Sequence, residues 1–151
     1  MRIVYCIPAT SNSGGMERVL TRKVNYLADL GHELIIITTD QRGAKPFFPL
    51  DESVKQYDLG INYDENNGQG ILSKALAYPR KKRLHKRRLQ ALLLELRADI
   101  VISMFGDDSS FLPKIKDGSK KILEYHFSKL KPAVWSYRTL ATRRYPAHQD
   151  G

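Results

Sequence analysis

A chain of 151 residues, 42% hydrophobic and 27% charged, is long enough to bury one ordinary core, which excludes wholesale disorder. Its net charge of +9 asks for an acidic partner: phosphate, anionic lipid or nucleic acid. Cys6 is the single cysteine, so an internal disulfide is excluded and a reducing compartment is expected. The opening Met-Arg-Ile-Val-Tyr-Cys-Ile-Pro has too short an apolar run for a signal peptide, and no segment could span a membrane.

Ile3 to Ile7 is an almost wholly apolar run with β-branched residues, which predicts a strand buried on both faces. Pro8 ends it, and Ala9 to Ser13 are small or polar loop residues. Gly14-Gly15 turns the chain with nothing projecting, and a helical pattern begins at Met16. Strand, glycine turn and helix start leave unpaired N–H groups where an anion can sit. A phosphate fits there; the plainer alternative is that the two glycines only make a tight turn.

Met16, Leu20, Val24 and Leu27 follow helical spacing, and Gly31 stands where a helix ends. Glu33 to Thr39 is a second buried strand, ended by Asp40. The opening is therefore β-α-β, with a right-handed crossover and a parallel sheet expected. Gln41 to Glu52 is a loop, and Val54 to Leu59 is a weaker third strand. The polar stretch Gly60 to Gly70 is expected to be mobile. Ile71 to Tyr78 and Pro79 to Arg97 read as one broken helix or two.

Asp99 to Met104 is a strand, and Phe105-Gly106-Asp107-Asp108 is the loop at its carboxyl end. Ser109 to Lys116 reads as a short helix, and Lys121 to Phe127 as one more strand. Pro132 to Tyr145 is helical or irregular, and Pro146 to Gly151 carries no apolar pattern. The order β-α-β-β-α-β-α-β with a final helix implies an α/β fold: a Rossmann-like open, mostly parallel sheet with helices on both faces. Its ligand crevice lies at the carboxyl ends of the strands. Three loops reach it: Pro8 to Gly15, Phe105 to Asp108, and the segment around His126.

Several familiar motifs are missing. The first turn reads Ser-Asn-Ser-Gly-Gly-Met-Glu-Arg, which fails the G-x-G-x-x-G pattern of dinucleotide-binding oxidoreductases. Asp40 stands where a ribose-binding acid would, but aspartates commonly end strands. No Gly-Lys pair exists to make a P-loop, the four histidines (32, 85, 126, 148) are scattered, and no Asp-x-Asp triplet offers a nucleotide-sugar metal site.

Arg80, Lys81, Lys82, Arg83, Lys86, Arg87 and Arg88 place seven cations in nine positions. Continued helically, His85, Leu89, Leu92 and Leu96 share one face, with the basic residues over much of the remainder. Such a helix can lie on anionic lipid head groups, or it can pack on the core and leave its basic face in solvent. Nucleic acid is the weaker partner, because no aromatic residues interleave the cations. His126, at a predicted strand end in the crevice, is either a structural histidine or a functional one. His32 lies at the opposite edge and reads as structural.

Taken together, Ile3 to Asp40, the basic helix and Asp99 to Lys129 resemble the N-terminal domain of bacterial family 4 glycosyltransferases. The Gly-Gly-Met-Glu-Arg turn with the Leu-Gly-His-Glu helix end is fairly specific in combination, and the resemblance runs from Met1 to about Tyr145. That family comprises retaining, metal-independent enzymes of two Rossmann-like domains (the GT-B fold) that transfer a hexose from a nucleotide-sugar. The resemblance implies that Gly14 and Gly15 approach the donor diphosphate and the acceptor, that Phe105 and Gly106 line the same cleft, and that His126 is the histidine near the transferred sugar. It implies no cofactor, a nucleotide-sugar donor and a glycan or lipid-linked acceptor; a nucleic-acid partner is not expected, on the composition of the basic segment.

The family's second domain holds most of the nucleotide and a Glu-x7-Glu pair. Here the glutamates are 17, 33, 52, 65, 95 and 124, and no two are eight apart. Residues 146–151 do not look like the next strand, so the expectation is half an enzyme, inactive alone, with the donor-binding domain absent. Two other readings stay open: a non-catalytic module for anionic lipid or glycan, and a small Rossmann-like nucleotide-binding protein.

Overall fold

A computed structural model describes residues 1–63, 70–104 and 106–124. Five strands form one all-parallel sheet: β1 (Arg2–Cys6), β2 (Glu33–Thr38), β3 (Lys55–Asp58), β4 (Ile100–Ser103) and β5 (Lys120–Leu123), in the spatial order β3-β2-β1-β4-β5. Helix α1 (Gly15–Asp29) follows β1, and α2 (Ile71–Leu96) follows β3. This is the expected Rossmann-like α/β arrangement.

The alternation of side chains along the strands sorts the core into two layers. Val4, Cys6, Ile35, Ile37 and Val101 point to one face, where Leu89 and Leu93 of α2 cover them with Phe111, Leu112 and Ile115. Ile3, Tyr5, Ile7, Leu34, Ile36 and Ile102 point to the other, where Leu20 and Val24 of α1 lie. Helices on both faces explain why the inner strands β1, β2 and β4 read as apolar runs. Burying each of these leucines or isoleucines stabilises the fold by about 1.5–3 kcal/mol.

Helix α1 stops as expected: Leu30 closes it and Gly31, at φ +89°, takes the left-handed conformation that a side chain would disfavour. Helix α2 corrects the expectation of a break, because it runs on through Pro79. A proline removes one backbone hydrogen bond and crowds the preceding turn, yet here it lies on an exposed stretch ahead of the buried half of the helix. Upstream, Ile71, Leu72 and Leu76 are exposed; downstream, His85, Leu89 and Leu93 are buried on the sheet. Packing on the second half outweighs the local cost of the proline, about 3 kcal/mol.

The short helix expected over Ser109 to Lys116 is instead two 3₁₀ turns, Asp107–Ser110 and Leu112–Lys114. Pro113 and the burial of both Phe111 and Leu112 favour tight turns over a continued α-helix. Strand β5 begins at Lys120, one residue earlier than expected. The stretch after β3 is not loose at its start, since the Ile61 and Asn62 N–H groups donate to the Thr39 carbonyl at 2.9 and 3.1 Å and Ile61 is buried. Among the described residues no helix is long and apolar enough to cross a membrane.

Candidate functional site

The chain leaves β1 toward β2 and β3 on one side, then returns to β4 and β5 on the other, so the order reverses between β1 and β4. In open α/β sheets the ligand crevice forms at such a point, outside the carboxyl ends of the strands. The loop after β1 runs through Pro8, and the loop after β4 through Gly106. They touch: a Cβ added at Gly106 would lie 3.6 Å from Pro8 Cγ and 3.0 Å from Asp108 Oδ1. Glycine at 106 therefore lets this loop close over the crevice floor.

Gly14 caps α1 in extended conformation (φ −70°, ψ 167°) and offers no side-chain hydrogen bond, which leaves first-turn N–H groups of the helix without a side-chain cap. Neither glycine adopts a positive φ. A Cβ at Gly15 would meet open space, whereas one at Gly14 would collide with the Glu17 carboxylate. Glu17 thus folds back over the helix start, where its charge is favoured by the helix dipole. An incoming phosphate would have to displace it.

Beneath the Pro8 and Gly106 loops lies a cavity of about 10 Å³, room for roughly one water molecule. Cys6, Thr39, His85 and Asp108 are among its walls. Asp108 is 4% exposed, and its Oδ2 has no hydrogen-bond partner among the described residues. Burial pushes its carboxyl up to about 6; a Ser103 hydrogen bond opposes the rise and the neighbouring Asp107 charge adds to it. His85, 3% exposed, is held down to about 4 by burial, with the Lys82 charge acting the same way.

The imidazole is fixed on its other sides. His85 Nδ1 and the Tyr63 hydroxyl are hydrogen-bonded at 2.8 Å, and the ring meets Phe111 edge-on at 4.9 Å between centroids. Tyr78 donates to Asp107 Oδ1 at 2.9 Å, tying α2 to the loop after β4. A carboxyl that changes charge near neutrality and a neutral imidazole, around one water-sized space, can accept or pass a proton there.

The structure brings Gly106 to Asp107 and Asp108 and puts Gly14 and Gly15 at the same end of the sheet. Phe105 and His126 lie outside the described residues. The basic cluster lies on α2 with its cations split in role. Lys81 donates to the Asn62 carbonyl at 2.6 Å, Lys82 lies over the Tyr78 ring, and Arg88 donates to the Leu59 and Gly60 carbonyls. Arg80, Arg83, Lys86 and Arg87 are exposed. His85 and Asp108 were visible in the sequence only as one residue of a helical face and one of a loop; their meeting is a product of the fold. No family model matches the chain, and a search of curated proteins finds no match.

Proposed function

We propose that this chain is the acceptor-side N-terminal domain of a retaining, metal-independent glycosyltransferase of the family 4 type. Its complete form moves a hexose from a nucleotide-sugar to a glycan or lipid-linked acceptor of cell-surface polysaccharide, on the cytoplasmic side of the membrane. The observation that supports this reading is the start of α1, where Gly14 supplies no side-chain cap, at the end of the sheet where the strand order reverses. In this reading the N–H groups after Gly14 and Gly15 meet the donor diphosphate once Glu17 swings aside, and Phe105 and Gly106 line the cleft. His126 hydrogen-bonds the reacting sugar. A second domain supplies the remaining nucleotide contacts and closes the cleft against water.

Alone, the chain is expected to show no transfer with a panel of nucleotide-hexoses and lipid or glycan acceptors. Turnover at ordinary rates, about 1 per second or more, would overturn the half-enzyme reading. Joined to a family 4 donor-binding domain, the chain should gain activity that His126→Ala largely removes while the melting temperature stays within a few degrees. Gly15→Val should weaken substrate binding without unfolding the chain, since its side chain enters open space beside the helix start. Unfolding by His126→Ala with full activity in the folded fraction would make His126 structural and the assignment wrong.

The same reading has Arg80, Arg83, Lys86 and Arg87 face an anionic membrane, each contributing about 1 kcal/mol near the surface. Vesicle co-sedimentation should require anionic lipid and weaken with salt, as the screening length falls from about 10 Å at 0.1 M to about 3 Å at 1 M. Equal binding to neutral vesicles would leave the basic face merely solvated.

A further inference from the structure

The first half of α2 stands over an open cleft of about 540 Å³, within the size range of small-ligand sites, roughly 300–1,000 Å³. It shares Asp107 with the wall of the water-sized cavity and is larger by far. Lys74 and Lys81, seven residues apart, lie on one edge of the helix, about 10 Å from each other along the axis. Ile71 and Ala75, four apart, lie on the other edge. Between them are the Tyr63 and Tyr78 rings, with centroids 5.8 Å apart. Asp107, the acidic side chain lining the cleft among the described residues, accepts the Tyr78 hydroxyl hydrogen at 2.9 Å.

Outside the mouth the apolar surface continues: Ile71, Leu72 and Leu76 are 86%, 80% and 75% exposed. Three large aliphatic side chains within six residues of one another, next to cations, suit neither a neutral lipid nor a small inorganic anion alone. We infer that the cleft binds an anionic amphiphile. The negative headgroup lies at the Lys74–Lys81 edge, and the apolar chain runs along Ile71 and Ala75 toward Leu72 and Leu76. The Tyr63 and Tyr78 rings, tilted 45° to each other, give the ligand's apolar chain an aromatic wall. This needs no donor sugar, so it stands even if the chain never takes part in transfer.

Geranyl phosphate, kept below its micelle concentration, is the probe, with inorganic phosphate and geraniol as controls. Titration of the intact chain, followed by backbone amide NMR, should give saturable shifts at Ile71, Lys74, Ala75, Tyr78 and Asp107. Binding should weaken with added salt. Lys74→Glu and Ile71→Ser should each weaken it by about tenfold, and both sites are exposed, so melting temperatures should not move. Inorganic phosphate binding as tightly as geranyl phosphate would reduce the cleft to an anion site and overturn the inference. Geraniol binding as tightly would do the same by removing the role of charge. Absence of saturable shifts, or a Lys74→Glu chain that binds unchanged, would also overturn it.

Discussion

Between about pH 4 and 6 the wild-type chain should keep a nearly level stability through Asp108 and His85, while Asp108→Asn and His85→Gln tilt it in opposite directions. Asp108 has a folded value raised from 3.8 to about 6, so its contribution is full below 3.8 and is lost as pH rises through 6, about 3 kcal/mol in all. His85 has a folded value lowered from 6.5 to about 4. Its contribution is full above 6.5 and is lost as pH falls through 4, again about 3 kcal/mol. The two slopes oppose each other over almost the same window. With Asp108→Asn the histidine term is left alone, and stability should fall on acidification. With His85→Gln the carboxyl term is left alone, and stability should fall as pH rises. The carboxylates lowered by their partners, Glu33, Asp51 and Asp117, act alike in all three chains and drop out of the comparison. Urea unfolding at several pH values reads the slopes. Parallel slopes for the wild type and Asp108→Asn would mean that Asp108 titrates as an ordinary surface acid.

Leu89→Ala should cost about 2–5 kcal/mol, and Leu76→Ala no more than about 0.5 kcal/mol. Both residues are leucines of one helix. Leu89 is fully buried against the sheet residues of its face, so its removal loses apolar burial and leaves a void. Leu76 has its side chain in solvent and leaves nothing empty. Urea midpoints measure both. If Leu76→Ala were as costly as Leu89→Ala, the first half of α2 would have to be covered by part of the chain.

The centre of the sheet was legible because β1, β2 and β4 are short apolar runs with period-independent burial, and Val4 or Ile35 announces that without help, whereas β3 is exposed throughout and reads weakly. Gly31 was legible because a left-handed helix end has few chemical solutions. Pro79 misled because local propensity cannot see that Leu89 and Leu93 hold the rest of the helix in place. Ser109 to Lys116 misled because two buried residues, Phe111 and Leu112, draw the chain inward at a spacing that suits tight turns. At the site, a glycine pair and a glycine after a strand could be picked out by type alone. Asp108 could not, since nothing in Phe-Gly-Asp-Asp says which aspartate is buried and which hydrogen-bonds a tyrosine. Tyr63 and His85 are 22 residues apart in sequence and meet only in the folded chain.

Cys6 sits in the central strand, paired through Ile37 on one side and Ser103 on the other, and it is the only cysteine in the chain. Burial pushes its thiol well up, Asp108 adds to the rise, and Lys121 opposes it. A thiol that is both shielded and protonated cannot attack an alkylating reagent until the sheet parts. The natural chain therefore carries its own clock for opening. One covalent mark records each molecule that has exposed its centre, and the rate of marking, divided by the rate for the unfolded chain, is the equilibrium constant for that exposure when reclosing is fast. No engineered probe is needed to time the core.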